Sequence, residues 1–370
     1  MTAAPGDPAP FQLICTPAVP ELLRKLRCSI VLSTYQAGKL VFVSPRDDER
    51  LVQLPRSFVR PMALQWRENT LVLSTASTVE LFVNDPRMAP AYPRQPETYD
   101  ALYLPRQTLQ TGRIDAHGLE WDSSGAIWVV NTRFGCLARL SGRYSFEPAW
   151  FPPFVTELAP EDRCHLNGVA FADGAPAYVT CLSDSNEAEG WRRTLPDHGV
   201  LVDVRTNEIV LRGLPMPHSP RMVGGSLYLL LSATGELARV DADSGGYEVV
   251  QKIGGFVRGM TSYRSHLFIA YSKLRKNSST FRDLPIADEA TEAGVAIVHE
   301  PTGAIVGRLT YQQSVDEIFD LAVLPDQVRP GIVGLDREER ALGVTSPEKT
   351  WWAAPRDDGA PDRTAQSTPS

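Results

Sequence analysis

The chain reads as an all-β protein, a single six-bladed β-propeller, and three observations predict this. Apolar and polar residues alternate along short runs through most of the sequence, as in SIVLSTY, KLVFVSP, NTLVLST, AIWVVNT, GVLVDV, SLYLLLS and HLFIAYS, which is the period of a strand. The 30 prolines and 27 glycines among 370 residues call for many turns between short elements. A motif of a polar residue, a small or kinked one and then an apolar strand recurs six times, every 39 to 60 residues. That interval holds three or four strands, the content of one blade.

The six copies begin at Arg60, His117, Asn167, Ser219, Arg258 and Ile318. Each predicts the innermost strand of a blade, followed by its outer strands. The leading strands between Ser29 and Leu54 have no motif of their own. They are expected to complete the blade begun after Asp316, so that the two ends of the chain pair and no sheet edge is left open. The propeller is assigned residues 11–352, with a flexible N-terminus over 1–10 and a disordered tail over 353–370, where apolar content falls away. Weak helical text is confined to Pro20–Arg27 and Asp283–Ala290, which excludes a doubly wound α/β fold. Two insertions, 84–113 and 274–293, exceed hairpin length and are expected to cover one face of the ring.

Composition narrows the function classes. Thirty-seven Lys and Arg against 44 Asp and Glu leave a net charge of −7, so no basic excess exists for nucleic acid or anionic lipid. The text has no signal-peptide pattern and no run long enough to span a membrane, so a cytoplasmic location is expected. The five cysteines are odd in number and scattered, which suits buried thiols rather than disulfides or a thiolate zinc site. Neither a GxSxG elbow nor a P-loop nor a dinucleotide fingerprint occurs.

Because first strands line the channel of a propeller, aligning the motifs predicts which distant residues meet at the axis. His117, His165 and His218 are expected at the same phase of three consecutive blades. Three imidazoles are suited to a divalent transition metal, iron or copper in preference and zinc as an option. Glu317 would be a fourth ligand, a general base, or the salt-bridge partner of Arg60 or Arg258. Arg60 and Arg258 carry cationic forks that suit an anionic substrate, unless they are spent on that pairing. Asn167, Ser219 and Arg221 are candidate substrate contacts. Asn167, which precedes a glycine, also reads as a turn device. Asp115 and Asp320 read as structural, and Cys164 is a weak candidate nucleophile.

The strings TGRIDAHGLEW, PEDRCHLNGVAF, GLPMPHSPRM, GFVRGM and SVDEIFDLAVLP together resemble a bacterial family of conserved hypothetical proteins with a propeller-like domain of unknown function. The resemblance covers Phe11 to Leu324. More distantly, in architecture alone, the chain is similar to the six-bladed lactonase and strictosidine synthase-like superfamily. The resemblance implies a propeller without a reaction. The lactonase metal site uses carboxylates and asparagines, whereas the predicted axis here is rich in histidine.

The functional expectation is a metal-dependent enzyme, an oxidoreductase on a small anionic organic molecule or modified peptide. Its alternatives are a metal-dependent hydrolase or lyase of lactonase type, and a propeller that binds without catalysis.

Overall fold

In the computed structural model, which describes residues 11–274 and 281–353, the predicted strands close among the described residues into a ring of six blades. The inner strands are Leu64–Arg67, Ala116–Trp121, Leu166–Ala172, Pro217–Val223, Phe256–Tyr263 and Asp320–Pro325. Each contains or directly follows a copy of the repeat motif, and each begins an antiparallel sheet of at least four strands. The regions assigned to a flexible N-terminus and a disordered tail lie outside the described residues, apart from Ala353.

Blade 6 is built from both ends of the chain, as the motif count requires. Its inner strand, Asp320–Pro325, pairs with Cys28–Thr34, which continues through Lys39–Pro45 to Leu51–Ser57. Closure reaches further than predicted. Leu13–Cys15 adds a fifth strand to blade 5 by pairing with Ala304–Tyr311, and Pro330–Ile332 adds a parallel fifth strand to blade 1 beside Ala101–Gln110. Each end of the chain thus crosses the seam and covers an edge on the far side. The helix Ala18–Leu26 seals the join between blades 5 and 6 by burying Val19, Leu23 and Leu26, and it stops at Arg27, a left-handed C-cap with φ 55°.

The apolar core is six inter-blade layers. Ile30 and Leu32 pack on blade 5 with Phe268, Val295 and Ile297, whereas Val31, between them in sequence, packs on blade 1 with Leu71 and Tyr103. Alternation therefore separates two neighbouring blades here, rather than core from solvent, and Cys28–Thr34 is buried on both faces. Glycines in the motif serve this packing. A Cβ on Gly168 would stand 2.4 Å from Pro220 Cδ and 2.8 Å from Thr180 Oγ1, so blades 3 and 4 approach too closely for any side chain. Asn167-Gly168 accordingly lies within a strand, which corrects the turn reading.

A hydroxyl clasp joins successive blades. At the end of the second strand of five blades a Ser or Thr donates to a carbonyl on the next inner strand or just before it: Ser33 to Met62, Ser74 to Ala116, Thr132 to Leu166, Ser232 to Val257 and Ser272 to Ile318. Leu182 follows the second strand of blade 3 in the corresponding place. Of the two expected insertions, 84–113 does not cover the ring face. Ala101–Gln110 is the fourth strand of blade 1, and Met88, Tyr92 and Tyr99 pack on its outer edge with Val333 and Trp352. The described part of the second insertion does cover the channel mouth, where Phe281, Leu284, Ile286 and Ala290 pack with Trp191, Met216 and Phe256. It forms turns rather than the expected helix.

Candidate active site at the channel mouth

Just before three consecutive inner strands, a residue in the left-handed region turns the chain towards the axis: Asp115 (φ 49°), His165 (φ 51°) and Met216 (φ 54°). His117 and His218 each lie two residues further on and are structural equivalents, with Asn167 as their counterpart in blade 3. The three histidines are thus gathered at the mouth but do not share one position in the repeat. His165 stands where the other two blades have Asp115 and Met216.

His117 and His218 are held in the same way. Nδ1 of His117 is 2.9 Å from Asp115 O and 2.8 Å from Thr132 Oγ1, whose own proton goes to Leu166 O. Nδ1 of His218 is 3.0 Å from Met216 O and 2.8 Å from Ser232 Oγ, whose proton goes to Val257 O. Both Nδ1 atoms face only acceptors, so each carries the hydrogen and Nε2 carries the lone pair. The third ring is set differently. Nδ1 of His165 lies 3.0 and 2.9 Å from the two carboxylate oxygens of Asp162, and Trp191 Nε1 donates to Asp162 Oδ2 at 3.0 Å. The Trp191 ring also packs on that imidazole at 4.3 Å. All three imidazoles therefore have Nδ1 committed and the same tautomer.

Burial, then the nearby positive charge of other groups, disfavours protonation of two of the rings. His117 is pulled well below the usual histidine range by desolvation and by His165, and His218 is pulled down to about 3 by desolvation and by Arg258. Both are neutral at pH 7.

These rings line a cavity of about 310 Å³ at the mouth. Arg258 and Glu317 line it as well and are paired, Nη2 to Oε1 at 2.5 Å, with side chains only 14% and 9% exposed. Of the alternatives for Glu317, the structure shows the salt bridge to Arg258. The guanidinium also stacks 3.8 Å from the centre of the Phe319 ring. Among the described residues, three cationic side chains in the lining, Arg192, Arg258 and Lys273, face three carboxylates, Asp115, Asp162 and Glu317. Of the two readings of Arg258, contact with an anionic substrate or pairing with Glu317, the structure shows the pairing.

The other predicted residues lie elsewhere. Arg60 is exposed, 6.0 Å from the Tyr35 ring, and does not reach the cavity lining. Asn167, Ser219 and Arg221 line a small void further down the channel. Arg221 is engaged by backbone there, donating to Met260 O, Val169 O and Pro220 O, and Ser219 Oγ accepts from Gly259 N. Both are ties between blades 3, 4 and 5 rather than open contacts. Asn167 Oδ1 accepts from Thr180, while its Nδ2 is buried without a partner. Asp320 is structural as predicted, its carboxylate taking the amides of Leu64 and Leu321, and burial raises it to about 6. Cys28, Cys136, Cys164 and Cys181 are buried free thiols, and burial pushes Cys28 and Cys136 up to about 12. Among the described residues, no group of three or more His, Cys, Asp and Glu stands ready at metal-holding distances, and no helix is long and apolar enough to cross a membrane.

Sequence reasoning missed Asp162, Trp191, Thr132, Ser232 and Phe319. Asp162 carries a local signal, three residues before His165. Trp191 carries none, because 29 residues separate it from the carboxylate it holds.

No curated protein matches the chain in sequence. Among solved structures the chain is similar to one from a nidogen–laminin complex, with a TM-score of 0.52 at 10% identity over 81% of this chain and 99% of that one. It is also similar to a catalytically inactive virginiamycin B lyase from Staphylococcus aureus crystallised with quinupristin, with a TM-score of 0.41 at 11% identity over the same shares. At such identity a likeness speaks to the fold alone, and the first of these is a propeller like this chain. A family model described as a domain of unknown function, DUF4915, matches residues 17–333, and with the fold and its axial residues described the chain belongs to that family.

Proposed function

We propose that the channel mouth is the active site of an enzyme acting on a small organic molecule. In this reading His165 moves a proton at Nε2, and Arg258 with Glu317 meets the charged groups of the substrate. The observation that carries it is the Asp162–His165 pair. A carboxylate held by Trp191 fixes the Nδ1 proton, orients the ring and stabilises the imidazolium that forms when Nε2 takes a proton. His117 and His218 are too strongly held neutral to serve as bases near pH 7, and they are assigned to orienting the substrate. The chemistry supported is proton transfer, as in hydrolysis or elimination.

Metabolite depletion tests this. A mixture of small metabolites is incubated with the protein and followed by mass spectrometry. A compound consumed by wild type is expected to turn over about 10²-fold to 10⁴-fold more slowly with His165→Gln. Equal turnover by that variant overturns the assignment.

A second reading keeps the metal, because all three imidazoles have Nδ1 committed and the lone pair on Nε2, the arrangement that outer hydrogen bonds impose on metal-binding histidines. His117, His165 and His218 would hold iron, copper or zinc through Nε2, and the metal would supply Lewis-acid or redox chemistry. Elemental analysis of untagged protein decides between the readings. Stoichiometric metal that is lost in His117→Ala, His165→Ala and His218→Ala favours the second.

A further inference from the structure

The small void below the mouth cavity measures about 10 Å³, the room that one hydroxyl or water oxygen needs. His117, His218 and Phe319 line both spaces, so the void forms the floor of the cavity. Asn167 enters it from blade 3. The residue is 4% exposed, and Thr180 Oγ1 donates to its Oδ1 at 2.7 Å, which leaves Nδ2 as the uncommitted end of the amide. Among the described residues that Nδ2 is buried without a partner, and a buried donor is costly until something accepts from it. His117 and His218 bring the complement. Their Nδ1 protons go to Asp115 O and Met216 O, so each ring has its lone pair on Nε2. Desolvation keeps both rings neutral, and therefore acceptors, at pH 7.

One donor and two acceptors around room for a single atom select a group that both accepts and donates. A hydroxyl does so. A carboxylate brings no proton for the imidazoles, and an ammonium brings no lone pair for Asn167. The walls above the void suit a flat apolar body, because the rings of His117, His165 and His218 pack on Phe319, Trp191 and Phe256 with centres 5.2, 4.3 and 5.8 Å apart. Building on the proposal that this mouth is the active site, we propose that its substrate is a hydroxylated aromatic compound of the phenol class. Its hydroxyl enters the void, accepts from Asn167 Nδ2 and donates to Nε2 of His117 or His218. Its ring lies above, among Trp191, Phe256 and Phe319.

Isothermal titration of the full chain at pH 7 with phenol, anisole and toluene tests the inference. The three share a ring and carry no charge, so the series reads the hydroxyl alone: anisole accepts without donating, and toluene does neither. Phenol is expected to bind about tenfold more tightly than either of the others. The inference is overturned if anisole or toluene binds as tightly as phenol, since the hydroxyl in the void then comes from solvent water, or if none of the three binds. Asn167→Leu keeps the bulk of the side chain and removes the donor. With its fold checked by thermal melting, it is expected to lose about tenfold for phenol and to bind toluene unchanged. Undiminished phenol binding by the folded variant also overturns the inference, and the wild-type series decides the matter should the variant fail to fold. The two proposals fail separately: conversion of a compound without a hydroxyl refutes the inference and leaves the enzyme reading standing, and selective phenol binding without any conversion does the reverse.

Discussion

His218 makes the stability of this propeller sensitive to mild acid, by an amount that follows from its burial. The side chain is 3% exposed and held neutral, with a value of about 3 in the fold against 6.5 for an ordinary histidine. Arg258 and His165 face it as charged or titratable neighbours, and Met216 O and Ser232 Oγ take its Nδ1 proton. Between these two values the unfolded chain binds a proton that the folded one refuses. The stabilising contribution is therefore complete above pH 6.5 and is lost as the pH falls towards 3. At about 1.4 kcal/mol per pH unit, lowering the pH from 7 to 5 removes about 2 kcal/mol through this group. Asp320, raised to about 6, works in the opposite sense over part of that window, because the fold favours its protonated form. The raw pH slope of wild type is thus a sum, and the difference from a variant is the proper readout. His218→Asn keeps a side-chain N–H near the place of Nδ1 and removes the titration. Urea unfolding of both proteins at pH 7 and pH 5 is expected to show wild type losing about 2 kcal/mol more than His218→Asn. Parallel losses would refute the view that a desolvated neutral imidazole sits at this position.

Other expectations follow from the inter-blade contacts. Gly168→Ala is expected to destabilise by about 1–3 kcal/mol in urea unfolding, since Pro220 and Ser219 N close on its Cβ position. Gly118→Ala meets chiefly one methyl of Val130, which can shift, and is expected to cost less than about 1 kcal/mol. Ser232→Ala strips Val257 O of its clasp and His218 of an acceptor, for an expected loss of about 1–2 kcal/mol in the same assay. Arg221→Met leaves buried carbonyls of three blades without their donor and is expected to lower stability by about 3 kcal/mol in the same urea unfolding.

Much of the architecture was legible because a propeller repeats one local problem. Each inner strand needs a polar residue near the mouth, a residue without bulk where neighbouring blades touch, and apolar residues beyond. His117, Asn167, Ser219 and Arg258 mark those places in the text of four blades. The missing motif before Ser29 was enough to predict that the two ends of the chain share a blade. Extra strands at Leu13–Cys15 and Pro330–Ile332 were not legible, because three residues carry too little periodicity and their partners lie elsewhere in the chain.

For the site, sequence alone determined that His117, His165, His218, Arg258 and Glu317 would converge, since position in the repeat dictates approach to the axis. It could not say how those side chains would be spent. Only the tertiary structure decided that Glu317 neutralises Arg258, that Arg60 stays at the surface, that Arg221 ties backbone carbonyls, and that Trp191 reaches across a loop to hold Asp162 beneath His165. The physical reason is range. Backbone periodicity is written every two residues and blade periodicity every fifty, whereas a hydrogen bond is settled within about 3 Å by whichever side chains the packing of whole blades brings together.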